Sequence, residues 1–64
     1  MASVTLFEET DKHGAVISAE WRKGDDAPGC YCVAIDGFAL RFHDHAVRAI
    51  KAAKRKLASR NKEG

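Results

Sequence analysis

The fold of this chain is decided by one stretch, Cys30-Tyr31-Cys32-Val33-Ala34-Ile35-Asp36-Gly37-Phe38-Ala39-Leu40-Arg41-Phe42-His43. Asp36-Gly37 at its centre signals a two-residue type I′ turn, in which both central residues need positive φ and glycine supplies it without steric cost. With these two as the turn, Ile35 pairs with Phe38, Ala34 with Ala39 and Val33 with Leu40. Cys32 then pairs with Arg41, Tyr31 with Phe42 and Cys30 with His43. In that register Tyr31, Val33, Ile35, Phe38, Leu40 and Phe42 share one face. Cys30, Cys32, Ala34, Ala39, Arg41 and His43 share the other. A slip of one residue mixes the two sets, so the apolar pattern specifies this register.

Toward the N-terminus, residues 3–9 (Ser-Val-Thr-Leu-Phe-Glu-Glu) are β-branched and aromatic enough for a strand, and Ala15–Lys23 for a second. The polar run between them ends in Gly14 and suits a hairpin loop. Pairing Thr10 with Ala15 around a four-residue loop sets Val4, Leu6 and Glu8 opposite Trp21, Ala19 and Ile17. Gly24-Asp25-Asp26-Ala27-Pro28-Gly29 breaks the pattern and reads as a surface loop.

After Asp44 the period changes from two to about 3.6. Asp44 is placed as an N-cap, and residues 45–60 are predicted helical. Val47, Ile50 and Leu57, supported by Ala46 and Ala53, form a stripe that would cover the sheet. The expectation is an α+β fold, a four-stranded antiparallel meander with one C-terminal amphipathic helix packed on one face. Residues 1–64 form a single small domain, with sheet at 3–43 and helix at 45–60.

The 64 residues carry a formal net charge of +2, which conceals an asymmetry. Residues 1–44 hold eight acids against four bases, whereas residues 45–64 hold seven bases against Glu63. An acidic body is joined to a basic helix. On that helix Arg48, Lys51, Arg55 and Lys62 fall within an arc of about 60°, away from the apolar stripe. Four cations on one face can meet phosphates, and arginine's planar fork grips them with two bonds. This face is the candidate contact for nucleic acid or a nucleoprotein complex. It equally suits an acidic protein partner, or a solvated face that keeps a small domain dispersed. No asparagine or glutamine precedes Asn61, so nucleic-acid binding would be electrostatic and salt-dependent rather than base-reading.

Two further constellations follow from the hairpin. Cys30 opposite His43, with Cys32 beside them and His45 beyond, supplies ligand types suited to tetrahedral zinc, although knuckles use wider cysteine spacing. The simpler expectation is no metal and no cofactor. The face carrying Cys32, Arg41 and His43, small and with Arg41 as its one fixed charge, is a candidate protein interface. With open edge strands, it leads to the expectation of a homodimer.

Other classes are disfavoured. No run of eighteen apolar residues crosses a membrane, and Met1-Ala2-Ser3-Val4 lacks the pattern of a secretory signal. Two cysteines are too few for a disulfide-stapled scaffold. On a strand, Cys30 and Cys32 sit near the outer bridging limit, roughly 6.5–7 Å between Cα atoms. Reduced thiols and a cytoplasmic location are expected. Phosphate-binding loops, zincin helices and nucleophile elbows are absent. His13, His43 and His45 lack a nucleophile or oxyanion donor to serve, so no enzymatic activity is expected.

In architecture the layout resembles the arm-binding domains of tyrosine recombinases, the plant ethylene-response DNA-binding domains and the single-stranded-DNA-binding transcriptional coactivators. The first two lay arginine-rich sheets in a major groove, whereas Arg22 and Arg41 are the main outer arginines of this sheet. The size and charge split also resemble small phage or mobile-element accessory proteins. That resemblance implies an alternative function, inhibition of a host protein complex by surface occlusion, with docking through the sheet or through Asp25 and Asp26.

Overall fold

The structure, a computed structural model, describes residues 2–26 and 28–62. Four strands, β1 (Ala2–Thr10), β2 (Val16–Lys23), β3 (Cys30–Ile35) and β4 (Phe38–His43), precede a helix, α1 (Ala46–Lys62). The strands form one open antiparallel sheet in the order β1-β2-β3-β4. The helix lies chiefly across β2 and β3 on one face. This is the α+β meander with one packed helix that the sequence predicts.

The Asp36-Gly37 turn forms as expected, with φ of 51° and 87°, both in the left-handed region a type I′ turn requires. Asp36 also anchors the neighbouring strand. Its N–H donates to the Val16 carbonyl at 2.9 Å, and its Oδ1 accepts from the Val16 N–H at 3.0 Å.

Beyond the turn the expected register is corrected. Ile35 pairs with Phe38 and Ala34 with Ala39, but the ladder then shifts, so Val33 faces Arg41, Cys32 faces Phe42 and Tyr31 faces His43. Leu40 is the extra residue of a β-bulge. The expected pairs Val33–Leu40, Cys32–Arg41, Tyr31–Phe42 and Cys30–His43 do not form. Arg41 and His43 pass to the helix side, and Phe42 passes to the far side. The cause is helix placement: α1 leaves most of β4 uncovered. Turning Phe42 toward the helix would gain little burial there, and without that gain nothing enforces strict alternation.

The first hairpin is corrected in a similar way. Asp11 N–H donates to the Ala15 carbonyl at 2.8 Å, and Gly14 N–H donates to the Asp11 carbonyl at 3.1 Å. The loop is therefore Lys12-His13-Gly14, with Gly14 at φ 87°, and Thr10 pairs with Val16 rather than Ala15. The Asp11 carboxylate selects this loop by accepting from the His13 and Ala15 N–H groups at 2.8 and 3.0 Å. A register shift between Thr5 and Phe7 then restores the expected pairing of Val4 with Trp21. Between those points Phe7, not Leu6, faces Ala19, and Glu9, not Glu8, faces Ile17.

Helix and sheet meet through Ile17, Ala19, Val33, Ala49 and Ala53, all buried. Phe7, Tyr31, Ile35, Ile50, Ala52 and Leu57 pack around them. Alanines at the contact let the helix backbone approach the sheet closely, so the buried stripe centres on Ala49 and Ala53. Val47 is 61% exposed, which corrects its assignment to the core stripe. Asp44 is also displaced from its expected role. The first helical bond runs from the Ala49 N–H to the His45 carbonyl, which makes His45 the N-cap residue and leaves Asp44 one position outside.

On the far side of the sheet the side chains of β2 cover part of β3, while Phe42 stays exposed. Glu20 Oε2 accepts from Ser18 Oγ at 2.8 Å and from Arg22 Nη2 at 3.2 Å. The same Arg22 nitrogen donates to the Gly37 carbonyl at 2.9 Å. Cys32 and Ala34 are fully buried on this side.

Candidate functional site

Counted at 100° per residue from the buried Ala53, the helix has two flanks. Lys54 and Asn61 lie on the flank toward β1. Lys54 Nζ sits 5.8 Å from the Phe7 ring centroid, and Asn61 Oδ1 accepts from the Lys12 N–H at 2.8 Å. Lys56, Ala52, Ser59, Arg48 and Arg55 lie on the opposite flank, toward β4. Lys51 sits near the outer edge of that flank.

Between this second flank and β4 runs a groove of about 780 Å³. Its lining comprises Val33, Leu40, Arg41 and His43 from the sheet, with Arg48, Lys51, Ala52, Arg55, Lys56 and Ser59 from the helix. Arg41 reaches the groove because the Leu40 bulge pairs it with Val33 on the helix side. The groove therefore gathers five cations from two elements and no carboxylate.

Three acids of the body are engaged elsewhere. Asp11 is held by Arg60 Nε at the other end of the helix and is almost fully buried in its hairpin loop. The Arg60 hydrogen bond holds the Asp11 carboxyl below its ordinary range. Glu20 is bound by Arg22 on the far side of the sheet, where its carboxylate raises the pKa of that guanidinium. Asp36 caps the start of β2. With these carboxylates withdrawn, like charges share the groove unneutralised, an arrangement that attracts a polyanion.

The groove is not purely charged. Val33, Leu40 and Ala52 give it an apolar floor, and Leu40 remains 53% exposed there. His43 adds an imidazole whose Nε2 is buried without a hydrogen-bond partner.

Of the residues selected from sequence, Arg48, Lys51 and Arg55 meet in the groove, whereas Lys62 lies outside its lining. Lys56 was missed, because its distance from the 60° arc set it apart until β4 was placed beside it. Arg41 and His43 belong to this groove rather than to a shared outer face with Cys32. The expected interface of Cys32, Arg41 and His43 is thus divided: two members line the groove, and the third is buried beneath the Glu20–Arg22 strap. The candidate zinc set of Cys30, Cys32, His43 and His45 also loses its geometry, since His43 pairs with Tyr31. Among the described residues no three His, Cys, Asp or Glu side chains group as a metal site. Both cysteines are free, and burial pushes the Cys32 thiol up. Among the described residues, no helix is long and apolar enough to cross a membrane. No protein-family model, curated protein or solved structure matches this chain.

Proposed function

We propose that this chain is a non-enzymatic nucleic-acid-binding module whose ligand lies in the groove between β4 and α1. One observation carries the reading: Arg41, Arg48, Lys51, Arg55 and Lys56 converge from strand and helix with no carboxylate among them. Arginine forks and lysine ammoniums held at successive helical turns suit the repeated charge of a phosphodiester backbone. The acidic body disfavours a ligand laid broadly over the sheet, so contact is confined to the helix and its neighbouring strand. A nucleoprotein complex offers the same phosphates and fits the same reading.

The test is binding of a labelled oligonucleotide across a salt series. Five phosphate contacts give a log–log slope of roughly −3.5 to −4.5. Affinity insensitive to salt, or no binding to DNA or RNA at low salt, contradicts the proposal.

A further inference from the structure

We infer that the groove takes a single strand in preference to a duplex, with bases against Leu40 and His43 and phosphates on the cationic rim. This inference rests on the nucleic-acid reading above and specifies its ligand.

A ligand recognised through phosphate alone gains nothing from apolar surface, yet Leu40 lies beside the cations and is 53% exposed. Val33 and Ala52 extend that apolar floor. In a duplex the base faces are hidden in the stack, and only the phosphate ridges reach a groove wall. A single strand presents unstacked bases whose apolar faces can cover such a floor while its phosphates stay on the rim.

His43 supports the same ligand. Its Nε2 lacks a hydrogen-bond partner within the chain, and a buried polar atom without one is costly. That nitrogen faces away from the groove's opening, so what His43 offers a ligand is its half-buried ring, on which a base can stack. From Arg48 to Ser59 the helix extends about 16 Å along its axis. That length matches a short site of about four nucleotides, the lower end for grooves that track a single strand.

The geometry also gives the bulge a purpose. It leaves Leu40 in the groove lining and, in the same step, brings Arg41 and His43 to the helix side. Without it the lining from β4 would be arranged differently, with Arg41 opposite Cys32.

The experiment compares a fluorescein-labelled twelve-nucleotide oligothymidine with a duplex of equal length, by anisotropy on the full chain at low salt. Leu40→Ala is measured beside the unaltered protein, with circular dichroism to verify its fold. The expected result is tighter binding of the single strand. Leu40→Ala should weaken that binding about fivefold through lost apolar contact and weaken duplex binding by a smaller factor. Equal or tighter duplex binding overturns the single-strand inference and leaves the nucleic-acid reading standing, as does a Leu40→Ala variant that is folded and unimpaired. Failure of both ligands to bind overturns both.

Discussion

Arg41 lies directly across the β3–β4 ladder from Val33, and through that pairing a strand cation joins the cations of the helix. Val33 is nearly fully buried against Ala49 and Ala53, so its partner on β4 necessarily lies at the margin of the helix. The long guanidinium side chain then lines the groove rather than the core. The groove is thus a product of register as much as of composition.

The far side of the sheet makes a prediction about thiol chemistry. Cys32 is fully buried below Glu20 and Arg22, whereas Cys30 is half-exposed. Desolvation also raises the Cys32 pKa, so its reactive thiolate is scarcer than usual. Brief treatment with iodoacetamide at neutral pH, read by peptide mass spectrometry, should label Cys30 first. Cys32 should follow only as the chain unfolds. Equal labelling rates in the folded state would show that the strap does not cover Cys32.

Acid should loosen the end of the helix. The Asp11 carboxyl titrates below its ordinary value, chiefly because of the Arg60 hydrogen bond, with further support from the Ala15 and His13 amides. A folded-state pKa below the unfolded one gives stability that is complete above the unfolded value, about 3.9. That stability is lost as pH falls through the lower folded value. The melting temperature should therefore fall below about pH 4, and Asp11→Asn should flatten that part of the profile. An unchanged profile in the variant would assign the acid sensitivity to other carboxylates.

Gly29 is fixed by the indole of Trp21. A Cβ built at position 29 overlaps the ring atoms Nε1, Cε2 and Cζ2. Gly29→Ala should push the indole aside at a cost of about 1–3 kcal/mol. Trp21 is the single tryptophan, so its emission reports the displacement directly. A variant with unaltered emission and melting temperature would contradict this packing.

The helix–sheet contact depends on small side chains. Ala49 and Ala53 are fully buried against Ile17, Ala19 and Val33. Ala53→Leu should destabilise by about 1–3 kcal/mol through overpacking, whereas Val47→Ala, on the exposed side, should change stability by less than about 0.5 kcal/mol. Urea denaturation of the two variants checks this. Similar effects at both positions would return Val47 to the core.

The same contrast shows what the residues announced and what they withheld. Asp36-Gly37 was legible because a type I′ turn has strict φ requirements that few residues meet. The change of period after Asp44 was legible because helix and strand place apolar groups differently. The bulge at Leu40 was not, since an extra residue alters facing without altering composition, and the unbulged register separates apolar from polar more cleanly. That separation has value only where the helix covers the sheet, and α1 does not cover most of β4. The buried stripe was misplaced for a related reason. Size suggested Val47, but close approach selects Ala49 and Ala53. Three of the five site cations are legible from helical spacing alone, whereas Arg41 and Lys56 require the tertiary arrangement.

The claim that the groove, rather than the overall charge of the helix, binds nucleic acid is tested most directly by two charge reversals measured side by side. Arg41→Glu and Lys54→Glu change the net charge equally, but Arg41 lines the groove while Lys54 stands over Phe7 on the other flank. Oligonucleotide affinity at fixed salt, with folding verified by circular dichroism, should fall about tenfold or more for Arg41→Glu. It should change by less than about threefold for Lys54→Glu, where only long-range screened charge is altered. Equal losses in the two variants, or a greater loss for Lys54→Glu, would contradict the groove as the site.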